Sequence, residues 1–431
     1  MQFQGHIQIN DSLTSKQVLL DFFKEASNVL LLDGNSSESN SFDWMLAVGA
    51  VDSISVGTEN AFEKLQDFYD THTDWIFGSL SYDLKNGLEN LESTHSDSIQ
   101  FPALHFFLPE YLFIYQNEKL AIYKHASVSE FDLSILKSPI EFSERTTTQL
   151  LKNRVSKNKY IENVNLIKDH IQRGDIYEMN YCQEFYAENS ELHTFETFTR
   201  LNTISKAPFS CYYKVGDKYL LSASPERYIK KTGSKIISQP IKGTRKRGES
   251  ESEDEALKKE LFEDQKERSE NVMIVDLVRN DLSKIAKKNS VTVEELFGIY
   301  TFDQVHQMIS TISCEVEELT TLKEIFEATF PMGSMTGAPK ISAMKLIEKF
   351  EKTKRGLYSG AVGYISPTGD FDFNVVIRSI QYNALNKYLS FMVGGAITIG
   401  SDAELEHQEC LVKAKALFEV LDQNHAETVS Y

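Results

Sequence analysis

The sequence predicts an α+β protein whose antiparallel β-sheets are covered by helices. Long strand-like runs follow one another in hairpin fashion, and segments with apolar residues at helical spacing lie between groups of these runs. The chain has 431 residues, of which 41% are hydrophobic and 25% are charged. These values are typical of a globular protein that is large enough for two or three domains.

The first part of the chain alternates short strand-like runs with polar loops. The predicted strands cover residues 28–32, 75–80, 112–115 and 119–123. Residues 35–41 are rich in Ser and Asn and are interpreted as a loop. Residues 137–153, with Pro139 and three consecutive threonines, predict a connection. We therefore predict an N-terminal region over residues 1–140 and a second region over residues 150–425.

Four helices are predicted in the second region, because apolar spacing, an acidic start or a leading proline marks each of them. They are residues 160–171 with Gly174 as C-cap, a helix from the acidic stretch 249–255 towards Asp276, a helix after Pro339, and residues 403–421. Strands are predicted before and between them at residues 179–187, 211–215, 219–223, 235–241, 361–365, 371–382 and 389–399.

Charge and cysteine content exclude several classes of protein. The formal net charge is −18, which argues against nucleic acid and anionic membranes as partners. The cysteines Cys182, Cys211, Cys314 and Cys410 lie far apart without a Cys-x-x-Cys motif, so they predict free thiols in a reducing compartment. The sequence contains neither a signal-peptide pattern at its start nor an apolar run of about 18 residues. We therefore expect a cytoplasmic protein.

Two Glu-x-x-Glu segments on predicted helices are the strongest functional signal. Glu267 and Glu270 form one pair, and Glu406 and Glu409, followed by Lys413, form the other. Residues at i and i+3 share a helix face, and like charges there repel unless something neutralises them. Two such faces brought together offer oxygen ligands to a hard cation, best matched by Mg²⁺ with waters and an anionic substrate. Each pair alone is also compatible with a solvated helix face.

A lysine and a glutamate at strand ends are candidates for covalent and acid–base chemistry. Lys242 lies between Ile241 and Gly243, where a strand enters a turn. Burial lowers the pKa of a lysine, and the neutral amine is a nucleophile, so we expect a lowered pKa for Lys242. Glu226 lies in a turn sixteen residues earlier, and a dehydrated glutamate stays protonated and can donate to a leaving hydroxyl. The alternatives are a lysine that reaches solvent and a glutamate paired with Arg227.

Three further segments are candidates for binding an anion. Residues 333–340 form a glycine-bearing loop before a helix, and residues 394–397 follow a strand. Both expose backbone N–H groups that can donate hydrogen bonds to a carboxylate or phosphate. Arg378 lies within an apolar strand run, and a substrate carboxylate is a suitable partner for its guanidinium. Pairing of Arg378 with an Asp or Glu of the chain remains an alternative.

Together these segments resemble the chorismate-utilising enzymes over residues 160–421. The resemblance rests on Gly-Asp-Ile-Tyr at 174–177, Ser-Pro-Glu-Arg at 224–227, Pro-Ile-Lys-Gly-Thr-Arg at 240–245, Glu-Asn at 270–271 with Asp-Leu-Val-Arg-Asn-Asp-Leu at 276–282, Gly-Ala-Pro-Lys at 337–340, Arg-Gly-Leu-Tyr-Ser-Gly at 355–360 and the last Glu-x-x-Glu-x3-Lys. It implies a fold of two large packed antiparallel β-sheets covered by helices.

One position discriminates within that family. Anthranilate synthases carry Pro-Ile-Ala-Gly-Thr, whereas this chain has Lys242 there, as in component I of the aminodeoxychorismate synthases. This resemblance implies a Mg²⁺-dependent transferase that aminates chorismate to 4-amino-4-deoxychorismate in the 4-aminobenzoate branch of folate biosynthesis. Anthranilate synthase component I and an isochorismate-forming enzyme are the alternatives, and a non-catalytic binding subunit is a rival of another class.

The resemblance also implies a role for each motif residue. The implied catalytic residues are Lys242, which attacks C2 of the ring, and Glu226, which protonates the departing C4 hydroxyl. The implied magnesium ligands are Glu270 and Glu409, with Glu267 and Glu406 holding its waters. The implied substrate contacts are Thr244, Gln307, Ser334, Tyr358, Arg378, Gly395, Ala396 and Lys413.

Some positions depart from the family pattern. Glu178 stands where water-adding relatives carry a lysine base, which argues against isochorismate formation. Gln307 replaces a frequent histidine, with His306 just before it, and Ala396 replaces a usual glycine. Residues 31–34 lack the Leu-Leu-Glu-Ser signature of tryptophan-inhibited relatives, so we expect no strong feedback by tryptophan.

The sequence contains no recognisable glutamine amidotransferase segment with its reactive cysteine and no lyase segment. We therefore expect the ammonia to come from a separate glutaminase subunit, in a heterodimer, or from free ammonium in vitro. The expected small-molecule partners are chorismate and ammonia.

Overall fold

The computed structural model describes residues 1–9, 12–37, 41–137 and 150–421. The strands in these residues are β1 (Gln2–Gln8), β2 (Asn28–Asp33), β3 (Trp44–Val48), β4 (Asp52–Val56), β5 (Ile76–Leu80), β6 (Leu104–Leu108), β7 (Tyr111–Gln116), β8 (Lys119–Lys124), β9 (Lys152–Asn153), β10 (Glu178–Ala187), β11 (Phe209–Val215), β12 (Lys218–Ser224), β13 (Arg227–Thr232), β14 (Lys235–Gln239), β15 (Ile241–Lys246), β16 (Thr292–Thr301), β17 (Val305–Glu315), β18 (Gly337–Ala338), β19 (Ala361–Ile365), β20 (Phe371–Asn374), β21 (Ser379–Asn383) and β22 (Tyr388–Ile397).

The α-helices of the same residues lie between these strands. They are α1 (Ser12–Phe22), α2 (Ala61–His72), α3 (Lys85–Leu88), α4 (Lys157–Gln172), α5 (Thr194–Ser205), α6 (Glu251–Glu263), α7 (Gln265–Ser283), α8 (Leu322–Thr329), α9 (Lys340–Phe350) and α10 (Ala403–Val420). Three short 3₁₀ turns occur at Tyr82–Leu84, Leu133–Lys137 and Gly333–Met335.

The strands form two antiparallel sheets, as the sequence predicted. In the described residues the first sheet runs β1-β8-β7-β3-β2-β11-β12-β21-β22-β10-β18, with β9 beside β10. The second runs β15-β17-β14-β13-β20-β19-β5-β6-β4, with β16 beside β17. Each sheet takes strands from both predicted regions, for example through the β2–β11 and β5–β19 pairs. The region boundaries stay a prediction, and residues 138–149 and 422–425 lie outside the described residues.

The first sheet is buried on both faces around β2, which explains the unbroken apolar run in that strand. Successive strand residues point to opposite faces. Val29 and Leu31 accordingly belong to one apolar core, whereas Leu30 and Leu32 belong to another. A strand covered on both sides has no solvent face that would require polar residues. The core therefore holds the first sheet rigidly between helices on one side and the second sheet on the other.

Three predicted elements are interrupted in the structure. The run at 235–241 is two strands, because Pro240 lacks the N–H that a continuous ladder needs. The run at 371–382 is also two strands, and β20 and β21 belong to different sheets. The acidic helix breaks at Asp264, whose side chain accepts hydrogen bonds from the N–H groups of Lys266 and Glu267 and so begins α7.

Several elements were not predicted, among them α1, α2, α5 and α8. The last of these carries a capping box between Thr321 and Glu324, a sequence signal that was available. The prediction of free cysteines is confirmed, because all four are unpaired and buried. Among the described helices, none combines the length and apolar character that crossing a bilayer needs.

Candidate active site

The two sheets meet at an ion pair between Lys242 and Glu178. Lys242 lies in β15 of the second sheet, and Glu178 begins β10 of the first sheet. Lys242 Nζ donates a hydrogen bond of 2.8 Å to Oε1 of Glu178, and the two residues are only 9% and 1% exposed. This contact joins residues that lie 64 positions apart and marks the centre of the candidate site.

The backbone around Lys242 is a bulged strand, which corrects the predicted strand end and turn. Ile241 pairs with Ile309 and Thr244 pairs with Gln307, so Lys242 and Gly243 together oppose a single residue of β17. Gly243 has φ +82°, and a Cβ there would lie 2.8 Å from Cδ1 of Leu261. Both the conformation and the lack of space require glycine.

The pKa of Lys242 departs from the prediction. Burial lowers the pKa of the amine, as expected, but the carboxylates of Glu178, Glu270 and Glu226 outweigh burial and raise it above the ordinary value. The expectation of a lowered pKa was therefore wrong for this arrangement. Lys242 is held as an ammonium, and any reaction that needs its lone pair must first remove a proton.

Glu226 lies in the turn between β12 and β13 and is 5% exposed. Burial raises the pKa of this carboxyl to about 7, although a hydrogen bond with Ser334 and the charges of Lys242 and Arg378 oppose the rise. Pairing with Arg227 was the alternative, but that guanidinium donates to Asp372 at 2.9 Å. With a pKa of about 7, Glu226 has comparable amounts of its acid and carboxylate forms at neutral pH.

The structure brings the two Glu-x-x-Glu faces together. Lys266 Nζ lies 3.0 Å from Oε1 of Glu406 on α10 and 3.8 Å from Oε1 of Glu270 on α7. Burial, followed by the charge of Glu409, raises the pKa of Glu267. Like-charged carboxylates from two helices thus share one region, where the ammonium of Lys266 partly neutralises them.

Glu409 and Lys413 form the side of this region next to β22. Glu409 Oε1 lies 2.8 Å from Lys413 Nζ, which also donates to the carbonyl of Gly394 at 3.1 Å. A Cβ on Gly395 would lie 3.4 Å from Glu406 Oε2 and 3.9 Å from Glu409 Oε1. The backbone at Gly395 therefore faces the acidic residues directly.

The residues present suit a hard cation in part. No three His, Cys, Asp or Glu side chains of the described residues are placed so that they alone would hold a metal ion. Oε1 of Glu270 is buried without a hydrogen-bond donor, and burial raises the pKa of this carboxyl to about 7. Oxygen ligands from one or two carboxylates, completed by water and substrate, are the usual protein site for Mg²⁺.

Arg378 has an unusual environment for an arginine. It lies between β20 and β21, not within a strand as predicted, and has φ +49°. Burial lowers its pKa, and the charge of Glu226 opposes this effect. Among the described residues the structure shows neither a hydrogen bond from its guanidinium nor a carboxylate within ion-pair distance. The alternative of pairing within the chain is therefore wrong for the described residues, and the guanidinium is available to an anion.

The structure places the remaining predicted substrate contacts at different depths. Ser334 is buried beside Glu226, whereas Thr244, within β15, is exposed. Ala396 pairs with Asn180 in the register of β22 and β10. Tyr358 is buried, and its hydroxyl lies 3.6 Å from Sγ of Cys182.

Gln307 and His306 occupy opposite faces of β17. His306 Nε2 lies 2.9 Å from Oδ1 of Asp254 and is enclosed on the side of α6. Gln307 is opposite Thr244, and its Oε1 is buried without a hydrogen-bond donor among the described residues. Of the two, Gln307 is therefore the residue that retains hydrogen-bonding capacity for a ligand.

A profile of the chorismate binding enzymes matches residues 21–419. The chain belongs to the chorismate binding enzyme family. Aminodeoxychorismate synthase component 1 of Bacillus subtilis (strain 168) is 31% identical over 367 residues, which cover 81% of this chain and 77% of that protein. Anthranilate synthase component 1 of Acetivibrio thermocellus is 31% identical over 371 residues, with coverages of 80% and 74%.

Two solved structures have a fold similar to that of this chain. Anthranilate synthase component I from Streptococcus pneumoniae TIGR4 has a TM-score of 0.76 at 27% identity and covers 86% of this chain and 91% of that chain. The menaquinone-specific isochorismate synthase MenF of Escherichia coli has a TM-score of 0.75 at 17% identity, with coverages of 97% and 94%, and supports the fold alone. The predicted fold and family are confirmed, and this chorismate binding enzyme uses chorismate.

Two residues of this chorismate binding enzyme were missed as site residues. Glu178 was noted only as a departure from water-adding relatives, although it contacts Lys242 directly. Lys266 joins the two acidic pairs, and its spacing of four residues from Glu270 was a signal for that contact. Glu178 had no such signal, because its partner lies on another sheet.

A cavity of about 910 Å³ lies beside this centre. Pro225 and Ile241 line it, and these are the chain neighbours of Glu226 and Lys242, but none of the predicted site residues does. The candidate centre is therefore distinct from this cavity. The raised pKa values of Glu226 and Glu270, and a guanidinium at Arg378 without an ion-pair partner among the described residues, make that centre the candidate site.

Proposed function

We propose that this enzyme aminates chorismate at C4 to give 4-amino-4-deoxychorismate, for 4-aminobenzoate and folate synthesis, with ammonia from a separate glutaminase subunit. The observation that supports this reaction is a buried lysine, Lys242, beside a buried glutamate, Glu226, whose pKa is raised to about 7. A nucleophile and an acid placed together suit displacement of a hydroxyl by way of a covalent intermediate.

In the proposed reaction the amine of Lys242 attacks C2 of the ring, and Glu226 protonates the hydroxyl that leaves C4. Ammonia then adds at C4 and expels the lysine amine from C2. The acid form of Glu226 is well populated at neutral pH because burial disfavours its charged form. After the hydroxyl has left as water, the same carboxylate can accept a proton from the added ammonium group.

Groups that can bind the carboxylates of the substrate are proposed around Lys242 and Glu226. Arg378 offers a guanidinium that has no ion-pair partner among the described residues, which suits a bidentate contact with a carboxylate. The other proposed contacts are Thr244, Gln307, Ser334, Tyr358, Gly395, Ala396 and Lys413. The backbone at Gly395 lies close to Glu406 and Glu409. A substrate carboxylate bound to this backbone would therefore lie near a cation held by those glutamates.

We assign the cation to Glu270 and Glu409, with Glu267 and Glu406 holding its waters. When bound, Mg²⁺ would supply positive charge to the ring carboxylate of chorismate and so orient the ring. The buried Oε1 of Glu270, which lacks a donor, supports this assignment. Lys266 then remains as a counter-charge for Glu406.

Anthranilate formation is the second candidate function. It is favoured by one observation: relatives that carry out that reaction are as similar to this chain as aminodeoxychorismate synthases are. Lys242 argues against it, because anthranilate synthases carry the motif Pro-Ile-Ala-Gly-Thr, with alanine at the position of this lysine. Isochorismate formation is disfavoured by Glu178, which is paired with Lys242 and replaces a lysine base.

The deciding experiment is one incubation of the purified chain with chorismate, Mg²⁺ and ammonium, with the products separated by chromatography. We expect aminodeoxychorismate, with no reaction when glutamine replaces ammonium unless a glutaminase subunit is added. Anthranilate or isochorismate as the product would replace the proposal by the corresponding activity. No turnover would favour a binding subunit, and amination with glutamine by the chain alone would contradict the two-subunit arrangement.

The Glu226→Gln variant should lower kcat by roughly 10²- to 10⁴-fold, because the amide cannot donate the proton that the C4 hydroxyl needs. The Michaelis constant for chorismate should change little. In the wild type, kcat at constant free ammonia should fall as pH rises through about 7, because the required acid form is lost above its pKa. An unchanged kcat in the variant, or a wild-type rate that rises through this range, would remove Glu226 from proton donation.

A further inference from the structure

Lys242 has one hydrogen-bond acceptor among the described residues. Nζ lies 2.8 Å from Oε1 of Glu178, and no other carboxylate oxygen of those residues lies within ion-pair distance of it. Glu226 and Glu270 act on Nζ through their charge at longer range. Because Lys242 and Glu178 are nearly inaccessible to water, solvent is a poor alternative acceptor for the proton.

The proposed function requires a proton to leave Lys242 before C–N bond formation. An ammonium has no lone pair, so it cannot attack C2. We propose that Glu178 is a catalytic residue that accepts the proton from Lys242 and later returns it. This assignment rests on the proposed function. It gives a catalytic role to Glu178, which the sequence comparison with the family identified only as a departure from the usual pattern.

The proton transfers balance around one turnover. Nζ gives a proton to Oε1 of Glu178, and the neutral amine forms a bond to C2 while the C4–O bond breaks and the hydroxyl leaves as water with the proton of Glu226. Ammonia adds at C4, the C2–N bond breaks, and Lys242 leaves as a neutral amine. The ammonium at C4 gives one proton to Glu226, and Glu178 returns its proton to Lys242. The sum is chorismate plus ammonia giving aminodeoxychorismate plus water.

The second oxygen of Glu178 supports this role. Oε2 is buried and has no hydrogen-bond donor among the described residues. The hydrogen bond from Lys242 to Oε1 therefore has no competing donor at Oε2 among the described residues. The backbone of Glu178 is also fixed, because it pairs with Ala338 of β18 while the next residue, Met179, pairs with Ile397 of β22. The carboxylate is therefore presented to Nζ from a rigid strand.

The Glu178→Gln variant tests the inference, because the amide oxygen can still accept the hydrogen bond from Lys242 but cannot take up its proton. With ammonium as nitrogen source we expect kcat to fall by roughly 10²- to 10⁴-fold, with the Michaelis constant for chorismate within about twofold. Glu184→Gln is the matched control: it is a buried glutamate of the same strand that pairs with Arg154 and should retain activity. Thermal unfolding of both variants checks the fold.

Two further measurements separate proton transfer from simple positioning. Wild-type enzyme quenched rapidly with chorismate and Mg²⁺ but without ammonia should gain the mass of chorismate less one water, whereas Glu178→Gln should not. The double variant with Lys242→Ala should be no slower than Lys242→Ala alone, because both residues serve one step. Wild-type kcat in a folded Glu178→Gln, or multiplicative losses in the double variant, would overturn the inference. If the wild-type enzyme formed another product, chromatography would identify it, and the proposed function itself would be wrong. That result is distinguishable from a failure of the role of Glu178 alone.

Discussion

Replacing Lys242 by alanine should slow aminodeoxychorismate formation from chorismate and ammonium by at least about 10³-fold, as losses of enzymatic nucleophiles typically do. The physical reason is that no other nitrogen nucleophile of the described site lies beside Glu226. Direct attack of ammonia on the ring can leave a small residual rate. The measurement is kcat with saturating ammonium, followed by product chromatography.

Folding of this variant needs its own control, because removing Lys242 leaves the buried carboxylate of Glu178 without its partner. Breaking a buried ion pair in this way typically costs about 3–5 kcal/mol of stability. Lys242→Met keeps most of the side-chain volume, and the double variant with Glu178→Gln removes the orphaned charge. Both should unfold cooperatively and remain inactive. Turnover at the wild-type rate in any folded Lys242 variant would remove the lysine from the mechanism.

The second large effect is expected at the two acidic helix faces. Glu270→Gln and Glu409→Gln should each lower Mg²⁺-dependent turnover by on the order of 10²-fold or more, since even outer partners of a metal cost about 10- to 100-fold. The double variant should lose little beyond either single variant, because an incomplete site already binds the ion weakly. Glu267 and Glu406 should cost less, within about 10- to 100-fold.

The measurement is turnover as a function of Mg²⁺ concentration for the two single variants and the double variant. Glu263→Gln is a suitable control, because this glutamate lies at the end of the neighbouring helix with a side chain 62% exposed. Higher Mg²⁺ should partly restore the single variants. Independent, multiplicative losses with an unchanged magnesium requirement would show that the two carboxylates do not share one ion.

Sequence motifs were sufficient for the residues whose chemistry is local. The i, i+3 spacing put Glu267 with Glu270, and Glu406 with Glu409, on single helix faces, and the structure has them there. Gly243, in the motif of Lys242, has a positive φ and is closely approached by Leu261. The single strand predicted at 371–382 was wrong, because this run contains two strands that belong to different sheets. The alternation of side chains along a strand does not indicate which sheet the strand joins.

The sequence by itself determined the fold class, the family and the set of candidate residues, because these depend on residue type and short spacing. Only the tertiary structure decided the protonation of Lys242 and the availability of Arg378. A lysine expected to lose its proton on burial keeps it, because Glu178 approaches from the other sheet to 2.8 Å. Electrostatic interactions depend on distance in space, and no pattern within one segment records what packs against it from 64 residues away.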